Sequence, residues 1–272
     1  MPWNLRRRWN SYTDPIQPIK YGIRTFSATF VATLRAEGLL RTLLALPRVR
    51  DEAFARFYRE LGIHFAQYES QQTPVPALVA SASGTVLELG AGNGNQLAYL
   101  DAAKITRVYG IEPNPSLAAD LHARLEKRVN PALREKYTLL PPCRVEDVDV
   151  LERHGVVEAS VDTVVCMQVL CSATQPEAVA RAAYRLLKPG GRLVFWEHHI
   201  SHDWLTRLVQ LLWNPLWRLA VGGCDMRKDV VGILEQAGEW EGFETLESSE
   251  EPWTMKPRIS GALTKPKSYR TY

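Results

Sequence analysis

Apolar residues change their spacing near residue 84, and that change divides the chain in two. Before it, Ile23, Phe26, Phe30 and Leu34, then Leu40, Leu43 and Leu44, fall three or four apart, the spacing that lines one face of a helix. A helix over 21–47 is predicted, with Gly38 as a point where it splits and Pro47 as its end. A second helix is predicted over 51–68. Residues 1–20, where Trp3, Trp9, Pro15 and Pro18 surround the Arg6–Arg8 run, read as an irregular arm. Pro74 and Pro76 mark a hinge. From residue 84, short β-rich runs (Thr85–Leu89, Arg107–Ile111, Tyr137–Pro141, Val161–Met167, Arg192–Glu197) alternate with helical stretches (Gln96–Ala102, Leu117–Arg128, Glu177–Leu187). That alternation predicts an α/β fold, a doubly wound parallel sheet covered on both faces. Phe243–Ser248 and Arg258–Thr264 have no helix between them. They are expected to pair antiparallel at one edge, making seven strands, mostly parallel. The expected division is an arm and helical cap over 1–76 and the sheet domain over 77–272.

Charge sharpens the division. The first 50 residues carry nine basic side chains against Asp14 and Glu37, while the whole chain of 272 residues has a net charge of only +3. Such an arm suits an anionic lipid surface, a nucleic acid or an acidic partner. The longest uncharged stretch there, Thr25–Leu34, is far short of the ~20 residues a membrane-spanning helix needs. A cytoplasmic protein, peripheral at most at a membrane surface through residues 1–47, is the expectation. The four cysteines, Cys143, Cys166, Cys171 and Cys224, form no CxxC pair and are expected to be reduced core thiols. No metal site is expected.

The sharpest motif is Glu88-Leu89-Gly90-Ala91-Gly92-Asn93-Gly94, at the end of the first predicted strand. Glycine permits a tight turn there and lets a ligand approach bare backbone. The pattern is GxGxG. It lacks the third glycine of a dinucleotide fingerprint, where Asn95 stands, and it lacks the GK[ST] of a Walker loop. The second strand ends on Glu112, an acid placed beside the loop that can accept both hydroxyls of a ribose.

With Val161–Met167 and the turn Pro189-Gly190-Gly191 that feeds the fifth strand, this series resembles the class I S-adenosylmethionine-dependent methyltransferases, whose fold is Rossmann-like, over about residues 84–200. The resemblance implies S-adenosylmethionine as cofactor. Glu88, Gly90, Ala91 and Gly92 would line its methionine part. Glu112 would hold the ribose, and Pro113 and Asn114 would flank the adenine. The segment Arg144-Val145-Glu146-Asp147 matches the adenine-edge position, with Glu146 or Asp147 accepting from the exocyclic amine. Met167 and Gln168 would lie below the sulfonium.

Further motifs follow in order: Val169-Leu170-Cys171-Ser172, Glu197-His198, Asn214-Pro215-Leu216-Trp217 and Gly223-Cys224. Together they look like the methyltransferase-like protein 7 group, membrane-associated alkyl-thiol S-methyltransferases. The resemblance implies in-line methyl transfer to a small apolar acceptor, with thiol sulfur favoured. That group's apolar N-terminal anchor is replaced here by a stretch holding Arg24, Arg35, Glu37 and Arg41. An interfacial helix, or a cap over the substrate cleft, therefore fits better than a span. His198 and His199, at the end of the fifth strand, are the candidate bases, because histidine titrates in the right range. Residues 203–224 are expected to lid the cleft, with Trp204, Leu208, Leu211, Leu212 and Trp217 forming an apolar acceptor pocket.

Three alternatives stay open: an O- or N-methyltransferase of secondary metabolism, a non-methylating cyclase that keeps the cofactor, and a nucleic-acid methyltransferase. Cys166-Met167-Gln168-Val169 stands where base-modifying enzymes carry [DNS]PP[YFW], so no nucleic-acid partner is expected.

Overall fold

The β-rich runs become strands because both of their faces find cover. A computed structural model describes residues 2–248 and 251–267 of the chain. The strands are β1 (Gly84–Leu89), β2 (Ile105–Ile111), β3 (Tyr137–Leu139), β4 (Val161–Met167), β5 (Leu187–His198), β6 (Glu247–Ser248) and β7 (Arg258–Thr264). They form one sheet in the order β3-β2-β1-β4-β5-β7-β6. The first five run parallel, and β7 pairs antiparallel with both β5 and β6. Val86, Leu87, Val164, Val165, Val194 and Phe195 are buried in the middle of the sheet, which is why these strands read as continuous apolar runs. Strand order reverses between β1 and β4, and that switch opens a crevice at their carboxyl ends.

Helices α1 (Pro2–Thr13), α2 (Ile16–Glu37), α3 (Leu39–Leu44), α4 (Leu46–Gln72) and α5 (Val75–Ala80) precede the sheet. Within and after it come α6 (Pro115–Arg128), α7 (Pro131–Arg134), α8 (Val148–Arg153), α9 (Pro176–Leu186), α10 (Trp204–Ala220) and α11 (Val230–Glu235). The stretch expected as a helix over 96–102 is a single 3-10 turn, Asn95–Ala98.

Three expectations are corrected. Residues 2–13 and 16–20 are helical, not irregular. The side chains of α1 dock on distant segments, the start of α10 and the loop before β7: Arg8 pairs with Asp203, the Tyr12 and Thr206 hydroxyls lie 3.0 Å apart, and Ser11 accepts from the Met255 N–H at 2.8 Å. Pro47 does not end a helix. It sits in the first turn of α4, where a missing N–H leaves no bond unmade. Gly38 does break the run, at φ 80, but α4 starts at Leu46 and runs on to Gln72. Pro74 and Pro76 open the short helix α5 rather than a hinge.

A fourth correction concerns α10. Its expected pocket residues Trp204, Leu208, Leu211 and Leu212 face outward, and only Trp217 is buried. The inward face carries Thr206, Gln210 and Asn214. Asn214 donates to Asp225 and accepts from the Met226 N–H, while Gln210 spans the Ser201 N–H and the Met255 carbonyl. On α2, Ile19, Gly22, Thr25 and Thr29 are buried. Gly22 lies against the Ala220 carbonyl so closely that a Cβ there would collide with it. The two helices approach through that contact, and the leucine face of α10 is left to solvent. Among the described residues no helix is long and apolar enough to cross a membrane.

Candidate active site at the carboxyl edge of the sheet

The loop after β1 is built as its sequence suggests. Gly90 and Gly92 take φ 58 and 57, and a Cβ on Gly90 would lie 2.7 Å from the Val169 side chain. The buried Ala91 donates its N–H to the Ile111 carbonyl, pinning the loop to β2. Glu112 directly follows β2 and accepts from the N–H groups of Gly92 (2.7 Å) and Asn114 (2.8 Å), one on each oxygen. A carboxylate offers about four lone-pair sites, so two remain.

Three buried acids gather here. Glu88 accepts from the Tyr137 hydroxyl at 2.6 Å, and its other oxygen has no hydrogen-bond partner. Glu69, from α4, accepts from Gln96 at 3.0 Å and likewise keeps one buried oxygen unpartnered. Burial pushes the carboxyls of both Glu88 and Glu69 up to about 7, with the Tyr137 bond opposing the shift at Glu88 and with Arg258 and Gln96 opposing it at Glu69. Burial also raises Glu112, against the pull of its two backbone N–H donors. Orphaned acidic oxygens around a glycine turn fit a cationic ligand that presents donors, because such a ligand makes ionisation of the acids favourable.

Helix α4 roofs this edge. Asn114 caps α6 by accepting from the Ser116 and Leu117 N–H groups, and its amide donates to the Asp51 carbonyl in α4. Pro113 beside it is exposed. Beyond β3, Val145 is buried and Glu146 half-buried. Asp147 is exposed and is used locally by the Arg144 N–H. Outside the loop, a cleft of about 530 Å³ lies between α4 and α6, with Asn93, Asn95, Arg59 and Arg124 in its walls.

At β4 the buried Met167 is followed by Gln168, a non-glycine residue at φ 62, held by its N–H on the Trp196 carbonyl. Strain of this kind persists only where the surroundings impose it. Glu197, quoted from the sequence without a role, holds the three residues that follow. Its carboxylate accepts from the N–H groups of Val169 (2.6 Å), Leu170 (3.0 Å) and Cys171 (3.0 Å). An acid at the end of an apolar strand was the available signal.

The structure separates the two candidate bases, because neighbouring residues on a strand point to opposite faces. His199 turns toward α11, where its Nδ1 accepts from the Val230 N–H at 3.2 Å. His198 turns toward two cysteines. Its Nδ1 lies 3.6 Å from Cys171 Sγ and 3.2 Å from Cys224 Sγ, and its ring stands edge-on to Trp217. Burial lowers the pKa of both, that of His198 to about 4. Arg258, also missed in the sequence, stacks 3.9 Å over the Trp196 ring.

Comparison with known proteins decides the family. A methyltransferase domain model matches residues 87–195. The human (Homo sapiens) thiol S-methyltransferase TMT1B is 30% identical over 194 residues, covering 68% of this chain and 72% of that one. The chain belongs to this methyltransferase family. It is an S-adenosylmethionine-dependent methyltransferase. Human thiol S-methyltransferase TMT1A is 31% identical over 163 residues, but the match spans only 59% of its length and 56% of this chain. Among solved structures, Haemonchus contortus phosphoethanolamine N-methyltransferase 2, held with S-adenosylhomocysteine, superposes with a TM-score of 0.53 at 14% identity, covering 74% of this chain and 57% of that one. That likeness concerns the fold.

Proposed function

We propose that the enzyme methylates the sulfur of a small apolar thiol. The match to thiol S-methyltransferase TMT1B over 72% of its length carries this reading. The site's chemistry supports it. S-adenosylmethionine brings a sulfonium-activated methyl. Glu88, Gly90, Ala91 and Gly92 would hold its methionine part and Glu112 its ribose. Pro113, Asn114, Val145 and Glu146 would border the adenine, and Met167 and Gln168 the sulfonium. The protein then has to orient the acceptor and exclude water. A thiol with a pKa near about 8.5 ionises far more readily than a phenol near about 10, so it asks for little base. The weakly basic His198 and the engaged His199 suit that acceptor.

Labelled S-adenosylmethionine offered with matched apolar thiols, phenols and amines tests the reading. Transfer to thiols is expected. Transfer confined to phenols or amines would overturn the sulfur assignment, and product without methyl gain would favour the cyclase alternative. Glu112→Ala should weaken calorimetric cofactor affinity by roughly 10- to 150-fold, the loss of about 1.5–3 kcal/mol of charge-assisted bonding. The pH dependence follows from Glu88. Its carboxyl is raised in the folded chain, so the ligand-free protein loses stability as pH rises from about 4.5 to about 7 and is unaffected beyond. A cationic ligand favours the ionised acid. Affinity should therefore rise with pH through neutrality, with proton release on binding, and Glu88→Gln should flatten that dependence.

A second reading concerns location. The outward leucines of α3 and α10, with Trp204 and the basic side chains of the first 50 residues, suit a peripheral seat on an anionic bilayer surface. Co-sedimentation with phosphatidylserine-containing vesicles, compared with purely zwitterionic ones, tests it. Equal recovery in the supernatant from both would remove this reading.

A further inference from the structure

Three side chains far apart in sequence converge beneath α10: Cys171 in the loop after β4, His198 at the end of β5, and Cys224 in the turn after α10. All three are buried, at 0%, 3% and 3% exposure. Their ligand atoms lie within 4.8 Å of one another. The Cys171 and Cys224 sulfurs are 3.6 Å apart, and His198 Nδ1 stands 3.6 and 3.2 Å from them. A tetrahedral ion with bonds of about 2.3 Å to sulfur and about 2.0–2.1 Å to nitrogen would put its sulfurs ~3.8 Å apart and each sulfur ~3.5 Å from the nitrogen. The observed triangle needs adjustments of only a few tenths of an ångström. Core thiols ordinarily meet carbon. Here both face one imidazole nitrogen, and the other nitrogen of that ring, Nε2, is buried without a hydrogen-bond partner.

We propose that Cys171, His198 and Cys224 form a binding site for one Zn²⁺ ion. Two thiolates and an imidazole select a borderline-soft divalent ion over magnesium or calcium. Binding forms two Zn–S bonds and one Zn–N bond, breaks two S–H bonds and releases both protons to solvent. The thiolates cancel the ion's charge, so it adds no net charge beside Lys228, whose ammonium already holds the carbonyls of Leu170, Cys171 and Ala173. One tetrahedral position remains for a water or another non-protein ligand. Because Cys224 follows α10 while Cys171 and His198 belong to the sheet edge, the ion clamps the carboxyl end of α10 onto the sheet.

The test uses full-length reduced protein, stripped with chelator and titrated with Co²⁺ and then Zn²⁺. One cobalt ion per chain is expected, with a thiolate-to-cobalt charge-transfer band that Zn²⁺ abolishes by displacement. Thermal stability should rise in step with zinc occupancy. Cys171→Ser and Cys224→Ser should each weaken cobalt binding by more than about tenfold, while Cys143→Ser, buried elsewhere, should not. Zinc-edge absorption spectroscopy of the wild-type protein, which needs no variant, should count two sulfur ligands and one imidazole. Substoichiometric cobalt without the band, a band that survives Cys171→Ser, or a zinc shell without sulfur would each overturn the site. None of these readouts involves methyl transfer, so they stand apart from the identity of the acceptor.

Discussion

Helices α9 and α10 have similar sequence patterns and opposite fates. Both carry an apolar stripe at helical spacing. In α9 the stripe of Val179, Ala180, Ala183 and Leu186 is buried against the sheet, and Arg181 and Arg185 face water. In α10 the stripe of Trp204, Leu208, Leu211 and Leu212 faces out, with Leu212 at 76% exposure, while Gln210 is fully buried. Amphipathicity says which residues share a face; it does not say which face the protein covers. The buried face of α10 is held by hydrogen bonds, and its apolar outer face is exposed.

That contrast can be attacked from both sides. The largest effect is expected from Ala183→Asp in α9, which leaves a buried charge uncompensated and should cost about 3–5 kcal/mol in urea unfolding. Leu212→Asp in α10 should stay within about 0.5 kcal/mol, and equal losses would break the comparison. Next comes Gln210→Leu, which orphans the Ser201 N–H and the Met255 carbonyl. Each stranded group should cost about 1–3 kcal/mol, so a more apolar helix would give a less stable protein. A stabilised variant would mean that the polar face is not what holds α10. The combined Leu208→Ser and Leu212→Ser change should leave unfolding unaltered but lower partitioning to anionic vesicles about a hundredfold, at about 1.5 kcal/mol or more per leucine. The smallest effect belongs to Arg41→Gln. About 1 kcal/mol per basic residue near an anionic surface predicts a weakening of about fivefold that vanishes at high salt.

The glycine loop, its acid and the strands that carry them were legible because their signals are local. Gly90 and Gly92 hold positive φ within a few residues of Glu88, and Glu112 is set by the end of one strand. Parallel strands buried on both faces announce themselves as unbroken apolar runs. The helix α1 was not legible. Its sequence has no apolar period, and its order comes from partners nearly two hundred residues or more away, such as Asp203 and Met255. Pro47 misled because the same residue that stops a helix also starts one.

The sequence by itself determined the α/β class, the seven-stranded plan, the glycine turn after β1 and the family. All of these rest on short-range periods and on residues fixed by their place at a strand end. Only the tertiary structure decided that α10 turns its leucines outward, that α4 delivers Glu69 to the glycine loop, that Glu197 holds the loop after β4, and that His198 meets Cys171 and Cys224 while His199 does not. The physical reason is common to all four. Each depends on which surfaces of distant segments cover one another, and helix and strand periods fix a residue's neighbours on its own element but not the element that packs against it.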